Sequence, residues 1–247
     1  MKHLLIALTL FTSIILLSIS CTGSSNDGQY DADIVVVGGG TSGVAAAIQA
    51  SRMGADVLLV EQTEWLGGML TAAGVSATDG NHQMPSGLWG EFRDKLYERY
   101  GGPEALFTGW VSNTMFEPSV GDSILKAMVA EEENLQIEYG YRLTDAESES
   151  GRLVSATFVN SDGNEITLRA RQFIDATEYG DLTAAAGADY SIYMETQDET
   201  GEEAAPERSE EHTSELTYVA ILKDYGPGTD NTIEQPANYD PSPFECM

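Results

Sequence analysis

Three glycines, Gly38, Gly40 and Gly43, form the pattern G-x-G-x-x-G inside the stretch from Asp33 to Glu61. Each would serve a bound diphosphate differently. The first permits a tight turn, the second lets backbone approach the phosphates, and the third lets a helix pack close on a strand. Thr41 and Ser42 open the segment that follows, where free N–H groups and the positive end of a helix dipole attract anions without any basic side chain. Glu61, with Gln62 beside it, comes where a carboxylate can accept hydrogen bonds from both hydroxyls of an adenosine ribose, and where it would repel a 2′-phosphate.

Such residues act only if the chain positions them. Residues 34–37 are a continuous β-branched run of the kind a strand buried on both faces requires, and residues 56–60 (DVLLV) repeat it. Between them residues 41–53 read as a helix, with Ala47 small enough to keep helix and strand close. An ordinary glycine-rich turn would need neither the second strand nor the acid at its end. Strand, turn, helix, strand and acid together therefore describe a dinucleotide cradle.

Beyond the cradle, Gly67 and Gly68 open onto Met69, either as a second stretch of close-running backbone or as a simple turn. Trp89, Phe92, Leu96 and Tyr100 recur at near-helical spacing before the stop at Gly101-Gly102, a stripe that belongs to a core. Glu117-Pro118-Ser119 leads into a helix ending near Glu133, with Glu131 to Glu133 expected as a solvated last turn that opposes the helix dipole. Residues 136–139, 142–146, 153–160 and 165–171 read as strands, the last two joined by the hairpin turn Ser161-Asp162-Gly163-Asn164. They make an inserted β-meander. Residues 173–187 (FIDATEYGDLTAAAG) then return to the parallel sheet as a separate short strand followed by a small-residue helix from about Gly180.

The run of motifs resembles the two-dinucleotide-binding-domain flavoproteins. Gly67-Gly68 is similar to the FAD-binding extension of that superfamily, although Trp65 stands where Arg is usual, and Asp175-Ala176-Thr177 is similar to its second cofactor-proximal signature, with Glu178 in place of Gly. Over residues 31–190 the chain most closely resembles a bacterial family of FAD-dependent oxidoreductases related to the heterodisulfide reductase A subunit. The resemblance implies an α/β, Rossmann-like FAD-binding domain, with a parallel sheet, helices on both faces, the inserted meander and the start of a second, substrate-side domain. It implies FAD bound by Gly38, Gly40, Thr41, Ser42, Gly43, Glu61, Gln62, Gly67, Gly68, Met69, Asp175, Ala176 and Thr177. It also implies hydride transfer from a small-molecule substrate to flavin N5, the protein supplying orientation and electrostatics. In flavoproteins of this architecture residues 71–82 pass near the isoalloxazine ring. Asp79 and His82 are thus either acid/base candidates or ordinary loop residues before Pro85.

Three other readings stay open. An electron-transfer flavoprotein of the heterodisulfide reductase A type would need four cysteines for a cluster, and the chain has Cys21 and Cys246 only. An NAD-dependent dehydrogenase would share the cradle without needing Gly67-Gly68, and a non-catalytic surface lipoprotein would keep the fold alone.

The two ends carry different information. Met1-Lys2-His3 and the apolar run 4–19 read as a signal sequence, short for a membrane span, and Ser20-Cys21 resembles a lipoprotein cleavage site. Residues 1–21 would then direct export to the cell envelope, with Cys21 lipidated and residues 22–30 a flexible tether. The lipid would be the only membrane contact. A net charge of −28, from 40 acidic against 12 basic residues, excludes a nucleic-acid partner, because phosphate binding needs clustered Lys and Arg. Residues 191–247 read as an acidic segment and the beginning of the substrate-side domain, and the ending in a Pro- and Asp-rich loop reads as that of an N-terminal fragment. Within it residues 208–216 (RSEEHTSEL) spell one reading frame of a common sequencing adapter, so His212 is set aside as a catalytic group.

Overall fold

The computed structural model describes residues 30–107, 112–209, 219–221 and 225–242. Residues 1–29, which include Cys21, the expected signal and all of the expected tether but Tyr30, residues 210–216 with His212, and Cys246 lie outside the described residues. No helix among the described residues is long and apolar enough to cross a membrane.

Six strands form one sheet: β1 (Ala32–Val37), β2 (Val57–Glu61), β3 (Leu135–Tyr139), β4 (Arg142–Glu149), β5 (Arg152–Val159) and β6 (Glu165–Asp175), in the order β3-β2-β1-β6-β5-β4. The first four in that order are parallel, while β4 and β5 run antiparallel beside β6. The central strand β1 is apolar on both sides because both sides are covered. Its Val36 packs with Leu59 of β2 in one core, while Val35 and Val37 pack with Val60 in the other.

Three helices fill the first core: α1 (Thr41–Arg52), α2 (Gly87–Tyr100) and α3 (Pro118–Ala130). In α1 the buried positions Gly43, Val44, Ala47, Ile48 and Ser51 repeat at the helical period. Proline at the first turn of α3 and left-handed Gly101 after α2 mark where these helices begin and end. The second face carries one short helix, α4 (Asp181–Ala185), whose Leu182 joins Ala156 and Phe158 of β5 under the sheet. Helices and meander thus divide the two faces between them. Past α4 the described residues hold one further helical turn, α5 (Gln197–Thr200), closed by a capping box between Thr196 and Glu199.

Two sequence expectations are corrected here. Residues 165–171 and 173–175 are not separate strands. They form the single strand β6, whose first half pairs with β5 and whose second half pairs with β1. Asp31 and Asp33 hold its middle: Asp31 Oδ2 accepts from the Arg169 backbone N–H at 2.7 Å, and Arg171 Nε donates to Asp33 Oδ1 at 3.0 Å. Glu131 to Glu133 lie past the helix end rather than in its last turn, with Glu131 and Glu133 exposed as expected and two of the three acids paired. The helix stops at Ala130, Glu131 binds Lys95 of α2 at 2.6 Å, and Glu132 binds Arg52 of α1 at 2.7 Å.

Candidate functional site

The glycine turn after β1 is fixed from three directions. Gly38 has φ +101°, donates its N–H to the Val60 carbonyl at 2.8 Å, and lies so near the end of β6 that an added Cβ would stand 2.4 Å from the Ala176 carbonyl oxygen. A Cβ at Gly43 would come within 1.8 Å of the Gly38 oxygen, which is why α1 can begin directly against the turn. The third direction is the later glycine pair. Gly67 donates to the Gly39 carbonyl at 2.8 Å, and the Thr41 hydroxyl donates to the Gly67 carbonyl at 3.0 Å. The two glycine motifs therefore form one backbone surface. At its centre Gly40 provides no side-chain cap for α1, so the first-turn N–H groups are left for something else.

Glu61 holds that surface in place as well as bordering it. Its Oε2 accepts the Gly39 N–H at 2.6 Å, and its Oε1 accepts both the N–H and the hydroxyl of Thr63 at 2.8 Å. A carboxylate offers about four acceptor positions, so three commitments leave room for a ribose hydroxyl at Oε2. Asp122 and Lys126 of α3 brace the loop that follows. Asp122 Oδ1 accepts the Leu66 N–H at 2.8 Å, and Lys126 reaches Asp122 Oδ2 at 2.9 Å and the Glu64 carbonyl at 2.6 Å.

Asp175 does the same work at the end of β6. Burial pushes its carboxyl pKa up, but four hydrogen bonds outweigh burial and hold it below the usual carboxylate range. They come from the N–H and hydroxyl of Thr183 on α4 and of Thr177. The Thr177 hydroxyl in turn accepts the Asp181 N–H at 2.7 Å, locking the start of α4.

These supports enclose a cavity of about 950 Å³, toward the upper end of the roughly 300–1,000 Å³ of small-molecule sites. Of the residues anticipated from sequence, Gly38, Gly40, Glu61, Gln62, Gly68, Met69, Ala176 and Thr177 line it. Thr41, Ser42, Gly43 and Gly67 do not line it, Gly43 and Gly67 being buried beneath the turn and Thr41 and Ser42 exposed at the start of α1, and the Asp175 carboxylate is turned to Thr177 and Thr183. Asp79 and His82 do not line it, and the His82 ring lies 3.2 Å from the Asn113 amide. The sequence reading missed the far wall. Tyr141 to Thr144 at the start of β4 enter the cavity because Tyr141 donates its N–H to the Glu61 carbonyl, and Glu178 and Asp181 enter through the turn into α4. Left-handed Gly140, between two predicted strands, was the one signal that the chain reverses beside Glu61.

A glycine-built wall, uncapped helix N–H groups and a partly committed carboxylate at one side are a donor and acceptor set that fits a dinucleotide. FAD would be held by Gly38, Gly40 and the start of α1 at its diphosphate, by Glu61 at its ribose, and by Gly68 and Met69 along its length. Fold and cavity define an α/β dinucleotide-binding protein. The chain belongs to the FAD dependent oxidoreductase family, whose model matches residues 33–247, and FAD is its cofactor.

It is similar to the NADH:fumarate oxidoreductase of Klebsiella pneumoniae (strain 342), being 40% identical over 68 residues, a stretch that makes up 27% of this chain and 7% of that protein. Among solved structures, it is similar to a flavoprotein/dehydrogenase from Cytophaga hutchinsonii, with 20% identity and a TM-score of 0.48 over 64% of this chain and 42% of that one. It is also similar to the glycerol-3-phosphate dehydrogenase from Bacillus halodurans complexed with FAD, with 16% identity and a TM-score of 0.44 over 66% and 38% of the two chains. The chain thus spans less than half the length of each of these solved relatives.

Proposed function

We propose that this chain carries the FAD site of an oxidoreductase that oxidises a small molecule. Bound FAD would supply the redox chemistry, accepting hydride at flavin N5. The observation that carries this reading is the single backbone surface made by Gly38–Gly40 and Gly67-Gly68 at the uncapped start of α1. Its N–H groups bind and orient a diphosphate without charged side chains, and Glu61 selects a free ribose over a 2′-phosphorylated one. Purified protein is expected to carry the visible absorbance of flavin, released as FAD on denaturation and bleached by a reductant. Protein that binds NAD but no flavin would replace this reading with that of an NAD-dependent dehydrogenase.

The same proposal places the protein in the cell envelope, exported by residues 1–21 and anchored through a lipid on Cys21, as the pattern of the apolar run and Ser20-Cys21 supports. Cys21→Ser is expected to abolish labelling by a fatty acid and to release the protein from membranes. Membrane retention without label would show that the apolar run itself is the anchor.

A further inference from the structure

Glu178 has no place in the support network around the cavity. Among the described residues it has no hydrogen bond or ion pair, in contrast to Glu61, Asp122 and Asp175, which are each committed to backbone or side-chain donors. Yet it stands at the centre of the glycine surface. Its Oε1 lies 3.3 Å from where a Cβ on Gly40 would be and 2.7 Å from where a Cβ on Gly68 would be. The space that both glycines leave open by lacking side chains is therefore bordered by a free carboxylate, directly at the uncapped start of α1.

We propose that Glu178 sets the affinity for FAD by opposing the cofactor's diphosphate with its own charge. The inference rests on FAD being the cofactor. The carboxylate is exposed and unpartnered among the described residues, so it can rotate away when a diphosphate enters, but its charge would still border the space that Gly40 and Gly68 leave open. Of the other charged residues lining the cavity, Glu61 and Asp181 are acidic as well, and Arg142 makes no hydrogen bond or ion pair with Glu178. Two like charges about 4 Å apart repel appreciably even in water, and the effect grows as water is displaced. A single acid facing a diphosphate is thus expected to weaken binding by about tenfold. The consequence is a cofactor held less tightly than its glycine cradle would allow.

The test is to strip FAD from the full chain and titrate it back, following flavin fluorescence, for the wild type, Glu178→Gln and Glu178→Gly. Because Glu178 supports no other residue, the variants should melt at the temperature of the wild type. Glu178→Gln, which keeps the bulk and removes the charge, is expected to bind FAD about tenfold more tightly, with Glu178→Gly at least as tight. The gap should shrink at high salt, because an exposed charge is screened. Equal or weaker binding by Glu178→Gln overturns the proposal, as does tightening confined to Glu178→Gly, which would make bulk rather than charge the obstacle. Wild type that binds FAD with no gap to the variants removes this proposal alone, whereas absence of binding in all three removes the FAD site with it.

Discussion

Two walls of the cavity are built on opposite plans. One is backbone: Gly38, Gly40, Gly68 and Ala176, brought together by hydrogen bonds between main-chain atoms, with no room for a Cβ at Gly38 or at Gly43 behind it. The other is side chain: Glu61, Arg142, Glu178 and Asp181. Shape resides in the first and charge in the second. Substitution in the backbone wall must move the chain itself, while substitution in the charged wall can change affinity or specificity and leave the fold intact. Glu61 and Asp175 sit between the two plans, since each is a charged side chain that accepts backbone N–H groups.

The largest effect should come from breaking the backbone wall. In Gly43→Ala the new methyl would have to displace the Gly38 carbonyl, 1.8 Å away, and with it the turn that faces the diphosphate. The destabilisation is expected to reach about 3 kcal/mol, the upper part of the range for overpacking, together with loss of FAD binding. Thermal unfolding and flavin content of the purified variant measure both. A variant that melts normally and holds FAD would show that helix and turn can separate, and that the wall is softer than its contacts.

Glu61→Gln comes next and sharpens the boundary between the plans. A Gln amide cannot accept the Gly39 and Thr63 donors on both sides at once, so a buried N–H faces another donor where the structure has a 2.6 Å bond. Losing that charge-assisted bond should cost roughly 1.5–3 kcal/mol in FAD affinity, and part of the loss should appear as a lower melting temperature even without FAD. If stability without cofactor is unchanged, Glu61 serves the ribose alone.

Asp175→Asn follows, at about 1–2 kcal/mol, because Asn keeps one of the two acceptor oxygens. Its wild-type carboxyl pKa is depressed, so its contribution to stability is present above the ordinary carboxylate range and is lost as pH falls through the depressed value. The difference in melting temperature between Asp175→Asn and wild type should accordingly fade in acid. A gap independent of pH would mean that the charge at Asp175 is irrelevant to the strand end it closes.

The same division explains what the sequence made legible. The backbone wall announces itself, because only glycine at fixed spacing meets its demands, and β1, α1 and β2 follow from local periodicity. Glu61 was visible from its place at the end of β2, but its bond to Gly39 was not, since it joins residues across a whole helix. The charged wall was hidden for a similar reason. Arg142 and Glu178 enter the cavity through the ends of β4 and β6, whose neighbours in the sheet are set by tertiary pairing, and nothing in the run DATEYGD tells which carboxylate is bound and which is free. The acids after α3 misled in the opposite sense. The partners of Glu132 and Glu131, Arg52 and Lys95, lie on other helices, so ion pairs within an exposed run were not visible in the sequence.

That paired run supplies the smallest expected effect and the limit of the comparison. Arg52 makes a bidentate contact with Glu91 of α2 at 2.8 Å and binds Glu132 at 2.7 Å, tying α1 to the far helices at the end opposite the cradle. The Arg52 hydrogen bonds hold the Glu91 carboxyl below its ordinary pKa, against the opposing pull of burial. All of this lies at the surface, where such pairs contribute about 0.2–1 kcal/mol, so Arg52→Gln should lower the melting temperature by only about 1–4 °C. Glu91 has a depressed folded pKa, which means the contribution exists above the ordinary Glu range and disappears as pH falls through the lower value. The gap between Arg52→Gln and wild type should therefore close in acid and shrink in high salt. FAD affinity should not change, because the cradle is held by main-chain bonds at the other end of α1. A measurable loss of FAD affinity in Arg52→Gln would show that the far end of the helix does set the position of its start, and that the backbone wall depends on charge after all.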